Sequence, residues 1–216
     1  MISVIIPTYN RFDLLMNSIN SVLNQTHKDF EIIVIDDCSD DERYLELLSN
    51  KNIRYFRLEK RNGLPSKVRN FGINQSKGEW IAFLDDDDTW LPNKLELQMK
   101  YVDKYDFICS DALSNGRKWA KQIHIDVWNS VNQSNNLEFN YDLINKHNLI
   151  INSTVLIKKD ILFEINLIPE ENNFRGIEDY QTWKNVLKLG KICLFIEDAL
   201  IEYETNTEKF YRDNYV

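Results

Sequence analysis

Short apolar runs alternate along the chain with stretches in which apolar residues recur every three or four positions. Ile2 to Pro7 is an apolar run rich in β-branched residues, and it reads as a buried strand stopped by Pro7 and the polar Thr8-Tyr9-Asn10. Phe12, Leu15, Met16, Ile19, Val22 and Leu23 follow with the period of a helix that buries one face. Ile32 to Ile35 is a second buried strand; Tyr44, Leu45, Leu47 and Leu48 suggest a short helix after it. Ile53 to Leu58 reads as a third strand, Asn62-Gly63 as a turn, and Val68, Phe71, Gly72 and Ile73 as part of a third helix that Lys77-Gly78 ends. Trp80 to Leu84 is a fourth strand, and Pro92 is expected to open a helix with Leu95, Met99 and Val102 inside. The second half is less regular. Strands are expected at Phe107 to Ser110, Asn152 to Lys158 and Ile192 to Ile196, and helices at Lys159 to Ile165 and Glu178 to Leu189. The Asn-rich stretch from Asp111 to Phe139 is expected to form loops and short pieces.

Repeated strand-helix alternation predicts an α/β domain, with a mostly parallel central sheet flanked by helices. No repeat and no linker rich in Pro, Gly or Ser interrupts it, so a single domain over residues 1–216 is expected.

Charge narrows the choice of partners. The formal net charge of −8 argues against nucleic acid, which needs a cationic surface. The three cysteines, Cys38, Cys109 and Cys193, form no zinc pattern and suit a reduced compartment. No apolar run is long enough for a membrane span, and Met1-Ile2-Ser3 does not begin a secretion signal. A cytoplasmic protein is expected, with at most peripheral association at the cytoplasmic membrane face.

Two of the expected strands end in carboxylates: Asp36-Asp37 and the run Asp85-Asp86-Asp87-Asp88. Ligands of open α/β sheets bind outside the carboxyl ends of strands. Four adjacent aspartates repel one another unless a counter-charge is near, and a divalent cation such as Mg²⁺ or Mn²⁺, with phosphate oxygens completing its shell, relieves that repulsion. An acidic helix-start loop would account for Asp88 alone, and turn chemistry for Asp36-Asp37 alone.

The ordered strings Ser3-Val4-Ile5-Ile6-Pro7-Thr8-Tyr9-Asn10-Arg11, Val34-Ile35-Asp36-Asp37-Cys38-Ser39-Asp40-Asp41, Arg69-Asn70-Phe71-Gly72-Ile73 and Gly78-Glu79-Trp80-Ile81-Ala82-Phe83-Leu84-Asp85-Asp86-Asp87-Asp88 resemble family 2 glycosyltransferases. The resemblance is dense over roughly the first 110 residues, and Glu178-Asp179 resembles the family's later acidic pair. It implies the A-type glycosyltransferase fold, with residues 1–110 as the nucleotide-sugar-binding half and 111–216 as the acceptor-binding half. The implied reaction is inverting transfer from a nucleotide-diphosphate sugar, by default a UDP-sugar, to a hydroxyl of a glycan or lipid-linked acceptor, as in polysaccharide biosynthesis.

The same resemblance assigns roles. Pro7, Thr8, Tyr9 and Arg11 would surround the nucleotide, with Asp37 accepting a hydrogen bond from the base and Asp36 supporting that loop. Arg69 would lie near the nucleotide or diphosphate, although an exposed helical Arg is ordinarily a surface ion pair. Asp85 and Asp87 match the metal-binding Asp-x-Asp, Asp87 the more strongly, and Asp86 would touch sugar or ribose. Asp179 matches the general base, with Glu178 as runner-up; an acidic first turn of a helix is the alternative for both. Two other classes remain: a nucleotide-sugar-binding module without turnover, and a sugar nucleotidyltransferase, which the glycine-free first loop disfavours. His124 and His147 lie away from other ligand types, so both read as structural or surface residues. Trp119 and Trp128 are candidates to stack on an acceptor sugar, Trp183 less so. Arg117-Lys118-Trp119-Ala120-Lys121 reads as a solvated basic loop. The Gln-x-x-Arg-Trp motif of processive members has no match at Gln181-Thr182-Trp183, which favours single additions.

Overall fold

A computed structural model describes residues 1–119 and 138–204. The first strands and helices form where the apolar pattern places them. β1 (Ile2–Thr8), β2 (Phe30–Asp36), β3 (Ile53–Arg57) and β4 (Trp80–Phe83) lie side by side in the order β3-β2-β1-β4, all parallel. Side chains alternate across this sheet, as period-two geometry requires. Ile2, Val4, Ile6, Ile32 and Val34 point to one face, where α1 (Phe12–Leu23) packs Phe12, Leu15, Ile19 and Val22 against them. Ile5, Ile33, Ile35, Ile81 and Phe83 point to the other, beneath Val68 and Ile73 of α2 (Pro65–Gln75). Gly72 permits that docking, because a Cβ there would stand 2.6 Å from Ile35 Cδ1 and 2.8 Å from Ile5 Cγ2. Helix α2 therefore lies close enough to the sheet to carry Arg69 under the strand ends.

Past β4 the sheet becomes mixed. β9 (Leu156–Lys158) inserts antiparallel between β4 and β6 (Phe107–Ser114), β10 (Cys193–Glu202) runs parallel to β6, and β5 (Thr89–Trp90) closes the edge antiparallel to β10. Two short strands sit off this path: β7 (Arg117–Lys118) on β6 and β8 (Glu138–Phe139) on β10. Helices α3 (Lys94–Met99), α4 (Tyr141–Lys146), α5 (Lys159–Glu164) and α6 (Glu178–Lys188) complete the described secondary structure, with 3₁₀ turns at Glu42–Ser49, Asn152–Thr154 and Asn172–Phe174. Trp183 of α6 is buried between Phe83 and Phe107, which settles it as a core residue.

Several boundaries differ from the apolar pattern. The helix expected around Tyr44 is a 3₁₀ turn. Pro92 precedes α3 by two residues and does not sit in its first turn, and α3 ends before Val102. The strand expected from Asn152 begins only at Leu156, because Asn152, Ser153 and Thr154 spend their side chains on hydrogen bonds that bend the backbone. Strands β6 and β10 both outrun their expected ends, since they pair with each other through two register shifts. Most of the stretch expected to be loops, with His124 and Trp128, lies outside the described residues.

Candidate active site

The carboxyl ends of β1, β2 and β4 open into one cavity of about 620 Å³. Pro7, Thr8, Tyr9 and Arg11 line it from the end of β1, and Asp37 from the end of β2. Gly63, Leu64, Pro65, Val68 and Arg69 come from the start of α2, and Asp85, Asp86 and Asp87 from the turn after β4. The far wall is Arg175, Gly176, Glu178 and Asp179 at the start of α6, together with Tyr203 and Glu204 beyond β10. Asp36 stands behind this wall: its Oδ1 accepts from Ser39 N–H at 2.9 Å and Ser39 Oγ at 2.5 Å, and its Oδ2 from Tyr55 OH at 2.7 Å. It holds the loop and does not face the cavity.

Asp37 is in the wall and already has partners. Its Oδ1 accepts from Asn62 N–H at 2.8 Å and its Oδ2 from Gly63 N–H at 2.8 Å, so the carboxylate shapes the 62–63 turn beside the cavity. Gly63 takes a positive φ of 67° there, which suits glycine. The Arg61 guanidinium lies 4.2 Å over the Tyr9 ring, and Tyr44 OH accepts from Arg11 N–H at 2.8 Å, fixing the entry to α1.

The acidic turn is held by two arginines. Arg11 Nη1 lies 3.1 Å from Asp86 Oδ1 and 2.8 Å from Asp87 Oδ2. Arg69 is buried, not on the surface as a helical Arg is expected to be, and its guanidinium joins Asp85 Oδ1 at 2.6 Å to Glu178 Oε1 at 3.1 Å. Burial works against its charge, but Asp85 and Glu178 outweigh that and hold its pKa above the usual value. Burial pushes Asp86 up to about 7 despite Arg11, with Asp87 adding repulsion. Asp88 does not cap α3. It is buried with its pKa raised, by desolvation first and then by Asp87 and Asp85, and it turns away from the cavity to accept from Ser153 Oγ and Glu204 N–H.

Asp179 lies one residue into α6 and faces the same cavity. Burial and then the charge of Glu178 push it up to about 6, against a downward pull from Arg69. That places it near the range in which a carboxylate takes a proton at neutral pH. Glu178 is more heavily committed, to Arg69 and to Gly176 N–H at 2.7 Å.

Among the described residues no group of three or more His, Cys, Asp or Glu side chains forms a complete metal cage. The donor set fits a different kind of site, since Mg²⁺ and related cations bind through one or two carboxylates plus phosphate and water. Three aspartates of one turn meet two arginines here, and an entering diphosphate would add further negative charge. Asp85 is the most open of the three, its side chain 30% exposed against 11% for Asp87 and 7% for Asp86.

Arg175, Gly176, Tyr203 and Glu204 were not picked out by the motifs. The apolar run Ala199-Leu200-Ile201 could have extended the last strand toward Tyr203, and Arg175-Gly176 precedes the acidic pair by one residue, Ile177. The described wall contains neither Trp119, which packs against the core, nor His147. No described helix is long and apolar enough to cross a membrane.

Residues 3–162 match the family described as glycosyl transferase family 2. A Rickettsia bellii protein described as an uncharacterized glycosyltransferase is 41% identical over 189 residues, covering 86% of this chain and 26% of that protein. The chain spans about a quarter to a third of the length of such Rickettsia relatives. The Escherichia coli UDP-Glc:alpha-D-GlcNAc-diphosphoundecaprenol beta-1,3-glucosyltransferase WfgD is 29% identical over 220 residues, 91% of this chain and 75% of that one. The structure of S. aureus TarS 1–349 in complex with UDP superposes with a TM-score of 0.73 at 25% identity, covering 98% of this chain and 62% of that one.

Proposed function

The chain belongs to the family 2 glycosyltransferases and has their A-type fold, and on that premise we propose that it transfers a sugar, with inversion, from a UDP-sugar to a hydroxyl of a glycan or lipid-linked acceptor. The observation that carries the proposal is the single cavity shared by the Asp85-Asp86-Asp87 turn and by Glu178-Asp179, with Arg69 spanning the two groups. The UDP of the TarS complex and the UDP-Glc and diphosphoundecaprenol in the name of WfgD support the donor and the acceptor class. A lipid-linked acceptor would bring the protein to the cytoplasmic face of a membrane as a peripheral partner.

In this reading Pro7, Thr8, Tyr9 and Arg11 surround the nucleotide, and Asp37 with the 62–63 turn receives the base. Asp85 and Asp87 would hold a divalent cation, Mn²⁺ or Mg²⁺, which when bound offsets the charge growing on the departing diphosphate. Arg69 lies beside Asp85 and adds fixed positive charge near the same oxygens, without reorganising as the bond breaks. Asp86 would accept a hydrogen bond from sugar or ribose. Asp179 removes the proton from the acceptor hydroxyl as that oxygen attacks the anomeric carbon from the face opposite the diphosphate. Its raised pKa makes it a stronger base than an ordinary aspartate while leaving it mostly ionised at pH 7 and above. Glu178 holds Arg69 and keeps a second negative charge beside the base.

Incubation with a panel of nucleotide sugars, Mn²⁺, and glycan or polyprenyl-diphosphate-sugar acceptors, with products identified by mass spectrometry, tests the proposal. New glycoside from a UDP-sugar is the expected result. Binding of nucleotide sugar with neither transfer nor hydrolysis would point to a binding module, and diphosphate release from a sugar phosphate and UTP to a nucleotidyltransferase.

A further inference from the structure

The acidic turn is braced by a segment that no motif marks and that the proposed reaction does not use. Asn152 and Ser153, in the 3₁₀ turn before β9, are both buried. Buried amides and hydroxyls destabilise a fold unless their hydrogen bonds are made. Here they are made to the turn after β4. Ser153 Oγ accepts from Asp85 N–H at 3.0 Å and donates to Asp88 Oδ2 at 2.5 Å. Asn152 Nδ2 donates to Asp85 Oδ1 at 3.1 Å, the same oxygen that Arg69 holds. Asp88 N–H closes the turn onto Asp85 C=O at 3.1 Å, and Asp88 Oδ1 accepts from Glu204 N–H at 3.1 Å. Trp90 Nε1 locks the segment from behind by donating to Ser153 C=O at 2.9 Å.

Both the peptide and the carboxylate of Asp85 are thus oriented from 152–153. We infer that Asn152 and Ser153 are positioning residues for the divalent cation: they aim the Asp85 carboxylate at the metal and, through Asp88, hold the Tyr203-Glu204 wall against the same turn. The inference rests on the metal-assisted reading given above. The bond that satisfies the buried Asn152 amide falls on a carboxylate oxygen at the cavity, and Asn152 and Arg69 share that one oxygen, so the two donors together fix the rotation of the Asp85 carboxylate. Side chains that orient a metal ligand in this way typically govern metal affinity or activity by about 10–100-fold.

The test is calorimetry of UDP binding at a series of Mn²⁺ concentrations, with UMP in the absence of metal as the second ligand. Wild type, Asn152→Ala, Ser153→Ala and Asp87→Ala are compared, each checked for folding by circular dichroism. Asn152→Ala and Ser153→Ala are expected to lower metal-dependent UDP affinity by about 10–100-fold and to leave UMP affinity unchanged. If Ser153→Ala does not fold, Asn152→Ala, which removes one amide, decides alone. A folded Asn152→Ala with wild-type metal dependence overturns the inference, as does equal loss of UMP and UDP affinity. When Asp87→Ala alone abolishes the metal dependence, the positioning role falls and the functional reading stands. UDP binding by wild type that ignores Mn²⁺ removes the metal and the positioning role together, and leaves glycosyl transfer to the product assay above.

Discussion

Asp86 gives the acidic turn a measurable effect on stability. Its carboxyl is pushed up to about 7 from 3.8, by burial foremost and by Asp87, with Arg11 pulling the other way. The folded state therefore holds this proton more tightly than the unfolded chain does. The resulting stabilisation is fully present below the unfolded value near 4 and is lost as pH rises through about 7. A rise from 3.8 to about 7 corresponds to about 4 kcal/mol in all, and about 2 kcal/mol of it falls between pH 5 and pH 7. Asp86→Asn keeps the shape and cannot titrate. Urea unfolding of wild type and variant at pH 5, 6, 7 and 8, without metal or nucleotide, brings out this contribution, since groups that do not interact with Asp86 cancel in the difference. The variant should gain on wild type by about 2 kcal/mol between pH 5 and pH 7. Parallel pH profiles would refute the reasoning and show that Arg11 fully compensates the buried charge.

Other outcomes follow from the same geometry. Chelation of divalent cations should weaken UDP binding strongly in calorimetry, and Asp87→Ala should mimic it; equal affinity with and without Mn²⁺ would remove the metal. Asp37→Ala frees the 62–63 turn as well as any contact to the base, so KM for the donor should rise more than kcat falls. Unchanged nucleotide affinity in that variant would leave Asp37 with turn structure alone. With Asp179 at about 6, kcat/KM should fall as pH drops through about 6, because the base must be ionised. Glu178→Gln removes the charge that helps raise Asp179, so the midpoint of that profile should move down; an unmoved midpoint would mean that Glu178 does not set it.

β1, β2 and β4 were legible because their apolar runs are largely buried on both faces, and α1 because it carries a clear apolar stripe. Ile2 to Pro7 and Phe12 to Leu23 needed no tertiary information. The second half was harder, since its strands owe their extent to partners. β10 continues past Ile196 because β6 and β5 are there to pair with it, and the run from Asn152 bends because its polar side chains reach across 65 or more residues to the acidic turn. At the site, the residues that the motifs named converge on the cavity, Asp36 excepted, and Arg175, Gly176, Tyr203 and Glu204 join them unmarked. The motifs did not reveal that Arg69 is buried between Asp85 and Glu178, nor that Asp88 faces inward. Both facts depend on α2, α6 and the 152–153 turn meeting at one place, which spacing within a single element does not encode.

Asp179 in the shared cavity is the claim on which the proposed reaction turns, and Asp179→Asn tests it most directly. The amide keeps the shape but takes no proton near neutral pH. Single-turnover and steady-state transfer from the preferred UDP-sugar should show kcat reduced on the order of 10²–10⁴-fold, with Mn²⁺-dependent UDP affinity retained. Wild-type turnover by a folded Asp179→Asn would contradict it.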